Sequence, residues 1–243
     1  MSSSSVLILG ATSDVGMAIA KQYIQLGVKV FLATRDSDRL RTAMVDWPDS
    51  SLAQVISFEA TDYVNHTSWI QSLPELPPIT VLVFGYLGDH ARAIREWGEA
   101  ERIINSNYTG AVSILNIISN EYEKRGAGTI VGISSVAGDR GRQSNYLYGS
   151  AKAGFTAYLS GLRNRLFPKG VHVVTVKPGF INSKMTTGLN LPKQLTASPD
   201  QVATRIINAV IRKRNVIYVL SIWYWIMLII RNIPEFIFKR IKL

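Results

Sequence analysis

Cysteine is absent from the 243 residues, which excludes both disulfides and thiolate chemistry. Histidine is nearly absent. His66, His90 and His172 are scattered without ligand spacing, so they read as structural or surface residues and no metal site is expected. Acidic residues are few, 17 against 27 Lys and Arg, and the net charge of +10 favours anionic partners. The basic residues are dispersed and form no recognised module, so nucleic acid is not expected among those partners. No apolar run reaches the roughly 20 residues that a bilayer-spanning helix needs. Met1 to Ser5 is a short polar lead and Val6 to Leu9 is too brief for a signal core, so no cleavable signal peptide is expected.

Apolar residues make up 47% of the chain, enough for a large core, and the length suits one α/β domain. No internal repeat or low-complexity tract is visible. Short apolar runs alternate with helical spacing. Strands are predicted at Val6–Leu9, Val28–Ala33, Val55–Phe58, Thr80–Phe84, Thr129–Ile133, Val171–Val176 and Val216–Val219. Helices are predicted at Val15–Leu26, Asp38–Val45, Thr67–Leu73, Tyr146–Leu166 and Pro199–Ile211, with a long helical region from Glu96 to Ile118 broken or bent around Gly110. This alternation implies a single doubly wound domain over residues 1–220, with a parallel sheet of about seven strands and helices on both faces. Residues 221–243 form a hydrophobic and basic helical tail.

Gly10-Ala-Thr-Ser-Asp-Val-Gly16 joins the first strand to the first helix. Gly10 permits a tight turn, Gly16 allows close helix–strand packing, and the helix N-terminus offers backbone N–H groups to a pyrophosphate. After the second strand, Thr34 stands where an acidic residue would hold a ribose without a 2′-phosphate. Arg35 beside it suits a 2′-phosphate, which favours NADP(H) over NAD(H). Alternatively Arg35 pairs with Asp36 or Asp38 on the surface.

Tyr148 and Lys152 lie four apart on one predicted helix and so share a face. A lysine cation near a phenol is expected to lower the tyrosine pKa and make it a usable proton donor. Ser135 lies upstream in Ile133-Ser-Ser-Val-Ala-Gly138.

Together these residues resemble the short-chain dehydrogenase/reductase family over nearly the whole chain. The family's T-G-x-x-x-G-x-G turn appears as Leu9 to Gly16, with Asp14 at its middle glycine. The resemblance places Gly10, Thr12, Ser13, Asp14, Val15 and Gly16 at the cofactor. The N-N-A-G after the fourth strand is replaced by Phe84-Gly85-Tyr86-Leu87-Gly88, so contacts there fall to the backbone of Phe84 and Gly85. Asp62 fits the residue beside the adenine. Pro178, Gly179, Ile181 and Ser183 fit the nicotinamide end. Asn107, in N-x-x-G, fits the asparagine that holds a relay water, and Ser135, Tyr148 and Lys152 fit the catalytic positions. The implied reaction is ketone reduction: Tyr148 gives the proton, Ser135 holds the carbonyl oxygen, and Lys152 tunes Tyr148 and binds the nicotinamide ribose.

A narrower resemblance rests on Phe84 to Asp89, Ser144 to Gly149 and Arg231 to Lys239. These segments look like the decaprenylphosphoryl-2-keto-erythro-pentose reductases, which reduce a lipid-linked keto-sugar made by a separate flavoprotein oxidase. The substrate implied is a polyprenylphosphoryl pentose. Arg140 and Arg142 before the Tyr148 helix suit its phosphate, unless they pair locally with Asp139. Tyr86 is a further substrate candidate, and residues 181–199 a substrate lid. Another membrane lipid ketone, acyl or sterol-like, and a non-catalytic NADP-binding scaffold or sensor remain alternatives.

The uncharged stretch Val216 to Ile230 holds Trp223, Tyr224 and Trp225, and basic Lys239, Arg240 and Lys242 follow it. Aromatic and cationic flanks suit a helix lying on an anionic membrane surface. Packing on a neighbouring subunit is the other reading, and a true span the least favoured. The expected setting is cytoplasmic, peripheral on the inner face of the plasma membrane, as a homodimer or homotetramer.

Overall fold

The computed structural model describes residues 5–47, 49–188 and 190–242. Met1 to Ser4, and Leu189 of the expected lid, lie outside them.

Seven parallel strands form one sheet in the order β3-β2-β1-β4-β5-β6-β9. They are β1 (Ser5–Leu9), β2 (Lys29–Thr34), β3 (Ala53–Ser57), β4 (Ile79–Leu82), β5 (Gly128–Ile133), β6 (Val171–Lys177) and β9 (Val216–Tyr218). A two-stranded ribbon pairs β7 (Phe180–Ile181) with β8 (Thr196–Ala197). Strands buried on both faces need apolar side chains in both directions, which is why β1 reads Val-Leu-Ile-Leu without alternation. Val6 and Ile8 pack on one side of the sheet, Leu7 and Leu9 on the other. α1 (Asp14–Gln25), α2 (Ser37–Met44) and α8 (Pro199–Ile211) cover the first side. α3 (His66–Ser72), α6 (Gly110–Arg125) and α7 (Tyr146–Leu166) cover the second. A short α4 (His90–Ala93), which periodicity did not predict, leads to α5 (Trp97–Ile104).

Caps set the helix ends. Ser13 Oγ accepts from the Gly16 N–H at 3.0 Å to start α1, and Gly126, at φ +68°, closes α6. The long helical region bends at a π-turn, Asn105–Thr109, immediately before Gly110. A Cβ on Gly110 would overlap the carbonyl of Ala60, so the close approach of α6 to the β3 loop requires glycine.

The chain ends in α9 (Ile222–Asn232) and α10 (Glu235–Phe238). Among the described residues no helix is long and apolar enough to cross a membrane. One face of α9 is packed: Trp223 and Met227, an i,i+4 pair, are buried against Val136, with Phe180 and Leu195 alongside. Trp223 Nε1 donates to the Leu195 carbonyl at 3.0 Å. The opposite face exposes Tyr224, Trp225, Leu228 and Ile229.

Candidate active site

A cleft of about 460 Å³ runs along the C-terminal ends of the strands, from the β1–α1 turn to the start of α7. It lies at the switch point between β1 and β4, where open α/β sheets take their ligands.

At one end the turn is shaped for close approach. Gly10 has φ +96°, and a Cβ there would come within 2.6 Å of the Phe84 backbone nitrogen. Phe84 N–H in turn donates to Leu9 O at 3.1 Å. Thr12, Ser13, Asp14 and Val15 line the cleft at the N-terminus of α1, while Gly16 lies behind them, packed on Gly10 and Ser13. This is a cradle for an anionic diphosphate. Arg35 and Arg39 both line the mouth beyond β2. Asp36 is turned away to cap α2, accepting the Arg39 N–H at 3.0 Å. Arg35 makes only a loose, exposed pair with Glu59 at 3.7 Å. The last residue of β2, Thr34, brings a hydroxyl rather than a carboxylate, and it bonds Thr12 at 3.2 Å. The donor set therefore fits a phosphorylated dinucleotide. Arg39, in the first turns of α2, was not singled out from sequence.

At the other end, Ser135, Tyr148 and Lys152 converge on the cleft. Ser135 Oγ accepts from Ala137 N–H at 3.1 Å. Neighbouring Ser134 does structural work, bonding Thr156 and the Lys152 carbonyl of α7. Lys152 is buried, and its Nζ donates to Ile133 O at 3.0 Å while sitting 5.7 Å from the Tyr148 ring centre.

The pKa expectation for this pair is reversed. Burial pushes the Tyr148 phenol up to about 12, with the Ser135 hydroxyl acting the other way. Burial also brings the Lys152 ammonium down to about 8. Desolvation opposes both charged forms.

Asn107 sits in the π-turn, where helical bonding is interrupted. Its amide donates to Tyr86 O (2.6 Å) and Ile103 O (2.8 Å), and its Oδ1 accepts the Tyr86 N–H (3.2 Å). It thereby stitches the β4 loop in place rather than lining the cleft. Gly85, at the family's second asparagine, lies against Asn107 and Lys152. A Cβ there would lie 2.7 Å from Asn107 Oδ1 and 3.3 Å from Lys152 Nζ.

Pro178, Gly179, Ile181 and Ser183 line the cleft between its two ends. Three expected residues are used elsewhere. Asp62 does not line it: both carboxylate oxygens accept from Asn65, and Phe58 and Ala60 stand at the wall instead. Tyr86 turns its hydroxyl to Glu99 at 2.8 Å, with Arg102 over its ring, and takes no part in the lining. Arg140 is the largest correction. Its guanidinium donates to Ile230 O (2.7 Å) and Ile233 O (2.5 Å), pairs with Glu235 (2.9 Å) and lies over Phe238. Carbonyls at a helix C-terminus attract cations, so the end of α9 draws Arg140 away from the cleft. Arg142, by contrast, does line it. Leu87, Asn145 and Trp223 also line it unannounced by sequence: Trp223 reads as one aromatic among several in the tail, and Asn145 stands only inside the Ser144 to Gly149 segment.

The short chain dehydrogenase family profile matches residues 4–194. An uncharacterized oxidoreductase of Mycobacterium tuberculosis is 33% identical over 240 residues, covering 97% of this chain and 96% of the relative. Two solved structures share the fold. A short-chain dehydrogenase from Sphingobium yanoikuyae, in complex with NADPH, has a TM-score of 0.80 at 21% identity, covering 96% of this chain and 97% of that one. One from Burkholderia cenocepacia, in complex with NADP, has a TM-score of 0.83 at 15% identity, covering 98% and 96%. With a family match over most of its length, and a relative alike nearly end to end, this chain is an oxidoreductase of the short-chain dehydrogenase family.

Proposed function

We propose that this chain is an NADPH-dependent reductase of a ketone borne on a phosphorylated, lipid-linked substrate, and specifically of the 2-keto group of a polyprenylphosphoryl pentose. One observation carries the reading. A single cleft joins an arginine-flanked dinucleotide cradle to the Ser135–Tyr148 pair, and its far wall is Trp223 of a helix whose outer face is apolar and exposed. Arg35 and Arg39 suit the 2′-phosphate of NADP(H), and the α1 N-terminus its diphosphate. The bound nicotinamide supplies the hydride to the ketone carbon. Tyr148 gives the phenolic proton to the carbonyl oxygen, so that ketone, hydride and proton make the alcohol. Ser135 donates to that oxygen as charge develops on it. Lys152 holds the nicotinamide ribose, and Asn107 keeps the β4 loop, with Gly85, at the right depth.

The exposed face of α9 adjoins Ile237 of α10 and basic Lys239, Arg240 and Lys242, a pattern suited to an anionic membrane surface where a polyprenyl substrate resides. In this reading the protein works at the inner face of the plasma membrane, receives its keto-sugar from a flavoprotein oxidase, and forms a homo-oligomer. The test is NADPH consumption by the full chain in detergent, with polyprenylphosphoryl ribose and a matched flavoprotein oxidase. Consumption that needs the oxidase and disappears in Tyr148→Phe is the expected result. Tight NADPH binding without consumption would discard the keto-sugar.

A further inference from the structure

Two buried polar atoms at the substrate end of the cleft have no partner among the described residues, and their chemistry is complementary. The turn Arg142–Asn145 leads into α7 and is closed by the Asn145 N–H donating to Arg142 O at 3.2 Å. Asn145 occupies the N-cap position of α7, where an asparagine side chain ordinarily accepts a backbone N–H of the first turn. It makes no such bond. Its Oδ1 is instead buried and unpartnered, and the residue lines the cleft.

Arg142 lines the same region, and its Nε is buried and unpartnered too. The obvious local partner is already engaged. Asp139 is held by Lys177 at 2.5 Å and by the Tyr218 hydroxyl at 2.7 Å. Burial lowers the Arg142 pKa, with Asp139 acting against that shift, but a guanidinium stays charged at neutral pH. The remaining walls here, Leu87, Val136, Phe180 and Trp223, are largely apolar. An unpartnered buried donor or acceptor is unfavourable, and one of each, on two residues that line the same cleft, marks a place for a ligand that supplies the opposite groups.

We infer that Arg142 and Asn145 form a substrate-recognition subsite, in which Arg142 takes an anionic oxygen and Asn145 Oδ1 accepts from a hydroxyl, so that hydroxylated anionic ketones are selected over apolar ones. The inference rests on the reductase reading for its substrate to be a ketone. It also disfavours acyl and sterol ketones, which would leave both atoms unpaired.

Ribulose 5-phosphate, ribulose and 2-pentanone share a 2-keto group and lose first the phosphate and then the hydroxyls. The full chain is assayed with each for NADPH oxidation, and by calorimetric binding to the NADP-loaded protein. Expected is the preference ribulose 5-phosphate over ribulose over 2-pentanone. Arg142→Met removes the first preference by about tenfold to a hundredfold, the scale of a hydrogen bond to a charged group. Asn145→Ala, which breaks no bond of the fold, removes the second. Equal handling of the three probes, or ratios unmoved in both variants, overturns the subsite. Binding of ribulose 5-phosphate that depends on Arg142, without reduction of any ketone, keeps the subsite and removes the reductase reading. No selective binding and no reduction removes both.

Discussion

The Asp14 carboxylate accepts the backbone N–H of Lys184 at 2.6 Å, joining the dinucleotide turn to a segment 170 residues away. Asp14 stands where the family has glycine, beside the site for a diphosphate. Two effects are separable there. Asp14→Asn keeps an acceptor for Lys184 and removes a negative charge from the diphosphate site. We expect several-fold tighter NADPH binding at low salt, a difference of about 1 kcal/mol, shrinking as salt screens it. Asp14→Ala loses the tie, and trypsin cleavage after Lys184 is expected to quicken. A salt-independent affinity gap in Asp14→Asn would remove the charge argument.

Lys152 makes stability depend on pH. Its folded pKa is about 8 against an ordinary 10.5, so below pH 8 both states hold the proton and the folded state bears the burial of the charge. Between those values the folded state has released the proton and the unfolded state has not. Stability therefore rises with pH across that window, by roughly 1.4 kcal/mol per unit at most. Urea unfolding between pH 7.5 and 9.5 is expected to show this rise in the wild type and not in Lys152→Met. Parallel slopes would show that burial is not what depresses the lysine.

Gly179 lies against Trp223: a Cβ at Gly179 would overlap the indole. Gly179→Ala is therefore expected to push Trp223 and α9 off the cleft wall. Trp223→Ala leaves a cavity instead and should cost about 3–5 kcal/mol. Quenching of tryptophan fluorescence by acrylamide should increase in Gly179→Ala relative to wild type. Unchanged quenching would mean that α9 accommodates the methyl group without moving.

Asn107→Ala removes three hydrogen bonds and leaves the Tyr86 N–H and Ile103 carbonyl without their partner. A loss of about 2–3 kcal/mol is expected from denaturant unfolding, with turnover falling through displacement of Gly85. A variant as stable as wild type would show that the loop is held by other contacts.

Much of this molecule was determined by local sequence. Val6 to Leu9 ending at Gly10, and helical spacing ending at Gly27, needed only periodicity and the backbone freedom of glycine. The order Ser135, Tyr148, Lys152 followed from strand and helix placement, and the bend near Gly110 from one residue. What spacing could not decide was which of several competing forces or partners wins. Tyr148 and Lys152 at i,i+4 suggested a depressed phenol, but burial of both groups reversed the sign. Arg140 and Arg142 look alike in the chain. Only the tertiary structure brings the carbonyl end of α9, some 90 residues on, against one of them while Lys177 and Tyr218 occupy Asp139 and leave the other facing the cleft. The tail aromatics divided in the same way, because only packing decides which side of an apolar helix meets the domain and which stays outside.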